Sequence, residues 1–194
     1  MDILIQDSVK KELDFANGYA VFSKEEYDKT SAVYNRISKN KAKYRYFYKE
    51  SLESGNGKNL LFILFNPSKA DEHEDDPTIA NCRKLAKDEK ASSFCVVNIF
   101  PERNPSIDEI NMSCNCIEYI NKRIGKNTDI VLAWGEANEK KYKEKFPKLK
   151  MVAGKNYYYI VPKNGKKIKN YHPSNRSWNR WYGGFKYAKL HKIN

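Results

Sequence analysis

The run Leu60-Leu61-Phe62-Ile63-Leu64 is apolar at every position and stops at Phe65-Asn66-Pro67-Ser68. A half-exposed strand alternates apolar and polar residues. A strand that does not alternate is covered on both faces, as in a parallel sheet flanked by helices. Two further runs behave alike: residues 93–100, Ser-Phe-Cys-Val-Val-Asn-Ile-Phe, and residues 129–134, Asp-Ile-Val-Leu-Ala-Trp, which end at Gly135. Between them lie helical signals. Residues 77–89 read as a helix capped by Asp76, with Thr78, Ile79, Cys82, Leu85 and Ala86 turned inward. Residues 107–124 read as a second helix and 138–146 as a charged third. Residues 156–161 and 168–171 supply the last strand material, around a turn at 162–167. Residues 178–190 read as a terminal helix or an ordered arm. Strands alternating with helices of this length predict a three-layer α/β/α domain with a mostly parallel central sheet.

The chain of 194 residues reads as one domain, with residues 1–43 as a possible N-terminal extension. Residues 41–48 alternate large aromatic and cationic side chains. They fit a strand with one buried face, and they also fit a base-stacking face. Lys and Arg total 36 against 24 Asp and Glu, a net charge of +12. That excess, with 14 Tyr, 9 Phe and 3 Trp, suits a polyanion that stacks, and nucleic acid above all. The plainer account is a basic but merely soluble surface. No signal peptide and no apolar run approaching roughly 18 residues is visible, so the expected setting is cytoplasmic, with no membrane partner. Cys114-Asn115-Cys116 is too tight for a zinc pair, Cys95 lies within an apolar strand, and the three His form no metal motif. No cofactor or metal is expected. Oligomeric state is left open.

Two polar turns follow the strands: Asn66-Pro67-Ser68, and His172-Pro173-Ser174 after Lys169-Asn170-Tyr171. Ligands of open α/β sheets bind at the carboxyl ends of the strands. The two turns are therefore expected to face each other across one site, with Asn98 at the end of the strand between them.

The order of an Asn-Pro turn, a strand ending in Asn, a strand ending in Trp134-Gly135, and His172-Pro173-Ser174 resembles the uracil-DNA glycosylase superfamily. More closely, Asn66-Pro67-Ser68-Lys69-Ala70-Asp71, Asp75-Asp76-Pro77-Thr78, Asn98-Ile99-Phe100 and Trp134-Gly135 look like the family labelled DUF1643, within or beside that superfamily. The resemblance covers residues 44–180 or so. It implies excision of a base flipped out of its stack. Asn66 takes the position that holds the attacking water. Its carbonyl can orient water but cannot deprotonate it strongly. His172 takes the position that donates to the departing base. Asn98 takes the position of an amide that reads the base edge, with one donor and one acceptor. Pro67, Ser68, Asp76, Thr78, Trp134, Gly135 and Ser174 complete the expected substrate-binding set. Arg176 stands where the superfamily places a wedge that fills the gap left by the flipped base. Trp178 and Arg180 are expected to contact nucleic acid beside it. Leu64 and Ser68 depart from the superfamily's usual Gly and bulky residue, which points to a modified or damaged base.

The loop Asp71-Glu72-His73-Glu74-Asp75-Asp76 has three readings. Asp76 caps the helix and the rest is solvated; or Asp71 and Asp75 act as catalytic carboxylates, supplying the base that Asn66 cannot be; or the cluster holds a cation. The leading functional expectation is a nucleic-acid-directed N-glycosylase, with DNA as the partner. The others are a non-catalytic binder of DNA or a nucleotide that reuses the site, and a hydrolase of a free modified nucleoside or nucleotide.

Overall fold

Leu60, Leu61, Phe62, Ile63 and Leu64 are each at most 1% exposed, so the strand they form is sealed on both faces. Burying each such side chain contributes about 1.5–3 kcal/mol. The computed structural model describes residues 8–14, 17–23, 44–53, 55–67, 75–103, 120, 124, 127–144, 149, 151–164 and 169–193. In chain order its elements are β1 (Ser8–Glu12), β2 (Gly18–Ser23), β3 (Arg45–Ser51), β4 (Asn59–Leu64), α1 (Pro77–Asp88), β5 (Ser93–Asn98), β6 (Thr128–Leu132), α2 (Glu136–Lys141), β7 (Tyr157–Pro162), α3 (Asn175–Tyr182), a 3₁₀ turn (Phe185–Tyr187) and β8 (Ala188–Ile193). The expected helix over 107–124 lies outside the described residues except for Ile120 and Ile124.

All eight strands join one sheet in the order β1-β2-β3-β5-β4-β6-β7-β8. The four inner strands β5, β4, β6 and β7 are parallel, and the other pairings are antiparallel. From β4 the chain passes through α1 to β5 on one side, then returns to β6 on the other. The strand order reverses at β4, and the carboxyl ends of β4 and β6 flank that switch point. β1 and β8 are the sheet's two edges.

Alternate residues of the inner strands face two cores. Leu60, Phe62, Leu64, Phe94, Val96, Val131 and Ala133 pack with Ile79, Cys82, Leu85 and Ala86 of α1, and with Trp178 of α3. Leu61, Ile63, Phe65, Val97, Ile130, Leu132 and Trp134 form the second core with Ile120. In β3 the pairing with β2 slips between Val21 and Phe22, so Tyr46 is the extra residue of a β-bulge. Tyr46 and Phe47 then share one core while Tyr48 enters the other, which explains why β3 is buried on both faces and not on one. No helix among the described residues is long and apolar enough to cross a membrane.

The expected three-layer α/β/α domain with a mostly parallel sheet does not hold. Antiparallel pairings outnumber parallel ones, and strand outweighs helix by 39% to 22%. The extra strands come from lysine-bearing segments with no apolar run. The segment expected as a helix over 178–190 breaks at Gly183 and Gly184, whose φ of 69° and 112° are closed to most side chains, and the chain emerges as β8. Residues 169–171 were expected in a strand; they are not in one, because their backbone is tied to the start of α2 instead of to a ladder.

Candidate functional site at the carboxyl edge

Register fixes the edge. Leu64 lies opposite Asn98 and Ile63 opposite Leu132. The ladders continue past the strands: Ala133 N–H donates to the Ile63 carbonyl, Ile99 to Leu64 and Phe100 to Phe65, each at 2.9 Å. Asn66-Pro67, Asn98 and Trp134-Gly135 therefore leave the sheet along one edge.

The His172 turn is fastened to the same edge. The Glu136 N–H donates to the Asn170 carbonyl at 2.8 Å, and the Gly135 N–H to the Asn170 Oδ1 at 3.1 Å. A Cβ on Gly135, whose φ is +87°, would stand 3.5 Å from the His172 Cβ. From the other side, Asn81 of α1 donates to the Pro173 carbonyl at 2.6 Å, and the Trp178 indole donates to the His172 carbonyl at 2.9 Å. Asn98, Trp134-Gly135 and His172 are thus gathered where α1 begins, with Asn66 on the adjoining strand end.

The chemistry of each group follows from its surroundings. The Ser174 N–H donates to His172 Nδ1 at 3.1 Å, so Nδ1 is the acceptor and the neutral ring carries its proton on Nε2. Burial pushes the His172 pKa down to about 4, against the attraction of the Asp76 charge. The ring is a neutral Nε2–H donor at ordinary pH. Asn98 is 1% exposed, and neither Nδ2 nor Oδ1 has a partner among the described residues. A buried unsatisfied polar group costs about 1–3 kcal/mol. Asn66 is half-buried, and its Nδ2 donates to the Pro67 carbonyl at 3.2 Å.

Other expected residues have structural positions. Asp76 caps α1, with Oδ1 accepting from the N–H groups of Thr78 and Ile79 at 2.7 and 2.9 Å. Thr78 is buried beneath it. Asp75 accepts from Arg83 at 2.6 Å, and Arg83 also grips Glu50 through Nε and Nη2 at 2.5 and 2.9 Å. A carboxylate held by a fixed guanidinium is poorly placed to act as a general base. Trp134 is 6% exposed; its indole donates to Glu139 at 2.9 Å and its carbonyl accepts from Asn138, which anchors α2. Trp178, expected against nucleic acid, is instead fully buried, packed on Tyr171, Tyr182 and Phe185 at ring separations of 5.0–5.6 Å. Ser174 begins α3 without capping it through its side chain. Arg180 is exposed on α3. The Arg176 side chain, Ser68 and Asp71 lie outside the described residues. Among the described residues no group of three His, Cys, Asp or Glu could hold a metal.

The sequence reading missed Asn170. It is 5% exposed, and its Nδ2 has no partner among the described residues. Its only sequence signal is its place two residues before His172.

The model of a family described as a protein of unknown function, DUF1643, matches residues 45–174. The match opens on the first residue of β3 and closes on Ser174, so it spans Asn66, Asn98, Gly135 and His172. No curated protein and no solved structure matches the chain.

Proposed function

The chain belongs to the DUF1643 family, and from that premise we propose that it is an N-glycosylase-like protein directed at nucleic acid. It takes one modified or damaged base, flipped from its stack, at the carboxyl edge of the sheet. The observation that carries this reading is Asn98: a buried carboxamide with both its donor and its acceptor unmet, at the end of β5. A nucleobase edge offers the matching acceptor and donor. Asn98 is fully covered, so binding is coupled to a local opening of the edge.

The neutral Nε2–H of His172 supports the chemistry. As the bond between C1′ and the base nitrogen breaks, its electron pair goes to the base, and a neutral donor stabilises the anion that forms. Water oriented by the Asn66 carbonyl adds its oxygen to C1′, and its proton leaves to solvent or to the departed base. The net charge of +12 favours the phosphate backbone as the wider contact.

One observation favours a second reading. Asp75 is held by Arg83 and Asp76 by the helix cap, so neither is available to activate water. A protein that binds a base or nucleotide at the same edge without excision fits that arrangement. A panel of duplexes, each with one modified base, separates the two. The enzyme leaves alkali-labile abasic sites on at least one duplex, and Asn98→Ala abolishes them. Base-dependent binding with every duplex left intact establishes the binder. Intact duplexes with no base-dependent binding overturn both.

A further inference from the structure

At the opposite edge, where the parallel strands begin, one tripeptide occurs three times. Gly57-Lys58-Asn59 enters β4, Gly125-Lys126-Asn127 precedes β6, and Gly154-Lys155-Asn156 precedes β7. Of the middle copy, only Asn127 is among the described residues. β4 and β6 are in register from Asn59 and Thr128, and β7 joins from Ile130 opposite Tyr157, so the turns stand side by side. They line a polar pocket of about 400 Å³, which is the size of a small-molecule site.

Turn geometry accounts for part of the repeat. Gly57 and Gly154 have φ of +81° and +76°, and a Cβ at either would meet nothing within 4 Å. The first and last copies need glycine for the backbone, and its absent side chain leaves the pocket wall open. The asparagines join the turns: Asn59 N–H donates to the Asn127 carbonyl at 3.0 Å, and Ile130 N–H to the Asn156 carbonyl at 2.9 Å. Nothing in the turn demands the lysine.

The lining is rich in donors. Asp129 accepts from Lys58 Nζ at 3.0 Å, Asn156 Nδ2 at 2.9 Å and the Tyr158 hydroxyl at 3.2 Å. Burial would raise its pKa, but these donors hold it below the usual carboxylate value. Its oxygens are engaged, and its charge is offset by Lys58. The Asn56 Oδ1 is taken by the Lys58 N–H at 3.2 Å. The pocket therefore presents the amide nitrogen of Asn56, the Thr128 hydroxyl, the remaining Lys58 proton and the charge of Lys155. Two lysines against one aspartate give the lining a net positive charge.

We propose that this amino edge is a second ligand site, which takes an oxyanion of the phosphate type. The proposal is independent of the function assigned to the carboxyl edge. The six residues of β4, at ~3.3 Å each, put roughly 20 Å between the two edges.

Inorganic pyrophosphate, titrated into the ¹⁵N-labelled full chain, tests it. The amides of 56–58, 127–129 and 154–156 shift, and those of Asn98 and His172 do not. The double variant T128V/K155Q binds pyrophosphate about tenfold more weakly. Lys58 is left intact, because replacing it would strand Asp129 and confuse loss of the site with loss of the fold. The proposal is overturned if no amide of these turns moves at any concentration reached, if shifts appear only at the carboxyl edge, or if the double variant keeps full affinity. A short oligothymidylate identifies the source: displacement of pyrophosphate assigns the site to backbone phosphate, and no displacement assigns it to a free phosphate compound.

Discussion

The side-chain oxygen of Asn170 accepts the Gly135 N–H at 3.1 Å, while its carbonyl accepts the Glu136 N–H at 2.8 Å. This two-point clamp holds the segment carrying His172 against the end of β6. Asn170→Ala removes the side-chain half. Urea unfolding is expected to show a loss of about 1 kcal/mol, accompanied by displaced His172 ring resonances. Unchanged resonances would show that the clamp does not position the imidazole.

The His172 pKa is about 4 in the folded chain against an ordinary 6.5. Between those values the unfolded chain holds a proton that the folded chain refuses. Stability from this group is complete above pH 6.5, declines as pH falls, and is gone below about pH 4. At about 1.36 kcal/mol per pH unit the full effect is roughly 3 kcal/mol. His172→Gln is expected to flatten the unfolding free energy across that window relative to the wild type. Identical pH slopes in both proteins would refute the depressed pKa.

Asn98→Leu separates stability from function. It replaces two unmet polar groups with an apolar side chain of similar shape, a change that is neutral or stabilising by about 1 kcal/mol. The thermal midpoint is expected to hold or rise while base-dependent binding disappears. A variant that loses stability and keeps binding would remove Asn98 from the site.

Arg83 joins Glu50 and Asp75, and the Tyr48 hydroxyl adds a hydrogen bond to Glu50 at 3.0 Å. The Glu50 side chain is only 6% exposed. Arg83→Met strands that charge and is expected to cost about 3–5 kcal/mol, and adding Glu50→Gln recovers part of it. Asp75→Asn is expected to lower stability modestly and to leave excision at permissive temperature intact. A collapse of excision in a folded Asp75→Asn protein would restore Asp75 as a catalytic carboxylate.

Binding to DNA is expected to weaken steeply with salt, with a log–log slope of roughly 0.9 per phosphate neutralised. Arg180→Ala is expected to reduce that slope by about one unit of contact without altering which base is preferred. Binding that ignores salt would exclude the backbone as a major contact.

The inner strands were legible because burial on both faces leaves no polar alternation: Leu60–Leu64 can be read in no other way once the flanking turns are placed. The Asp76 cap and the inner face of α1 were legible because capping and helical spacing are local. β8 alternates as a strand does, in Ala188-Lys189-Leu190-His191-Lys192-Ile193, but it was absorbed into a helix reading that gave Gly183-Gly184 too little weight. β1 and β2 carry no apolar run at all. Within the site, Asn66, Asn98 and His172 were visible as polar residues after strand-like runs. Asn170 was not, because its role depends on a contact with Gly135, far away in sequence, that no local pattern announces.

β1 and β8 each have a strand neighbour on one side only among the described residues, and both carry exposed lysines: Lys10 and Lys11 on one, Lys189 and Lys192 on the other. Charge on an edge strand deters a second sheet from adding to it. The basicity that suits a polyanion thus also keeps an eight-stranded sheet, open at both ends, from growing into a ribbon. A polyanion that neutralises those lysines lifts the same guard, so copies crowded along one strand are the ones most able to join edge to edge.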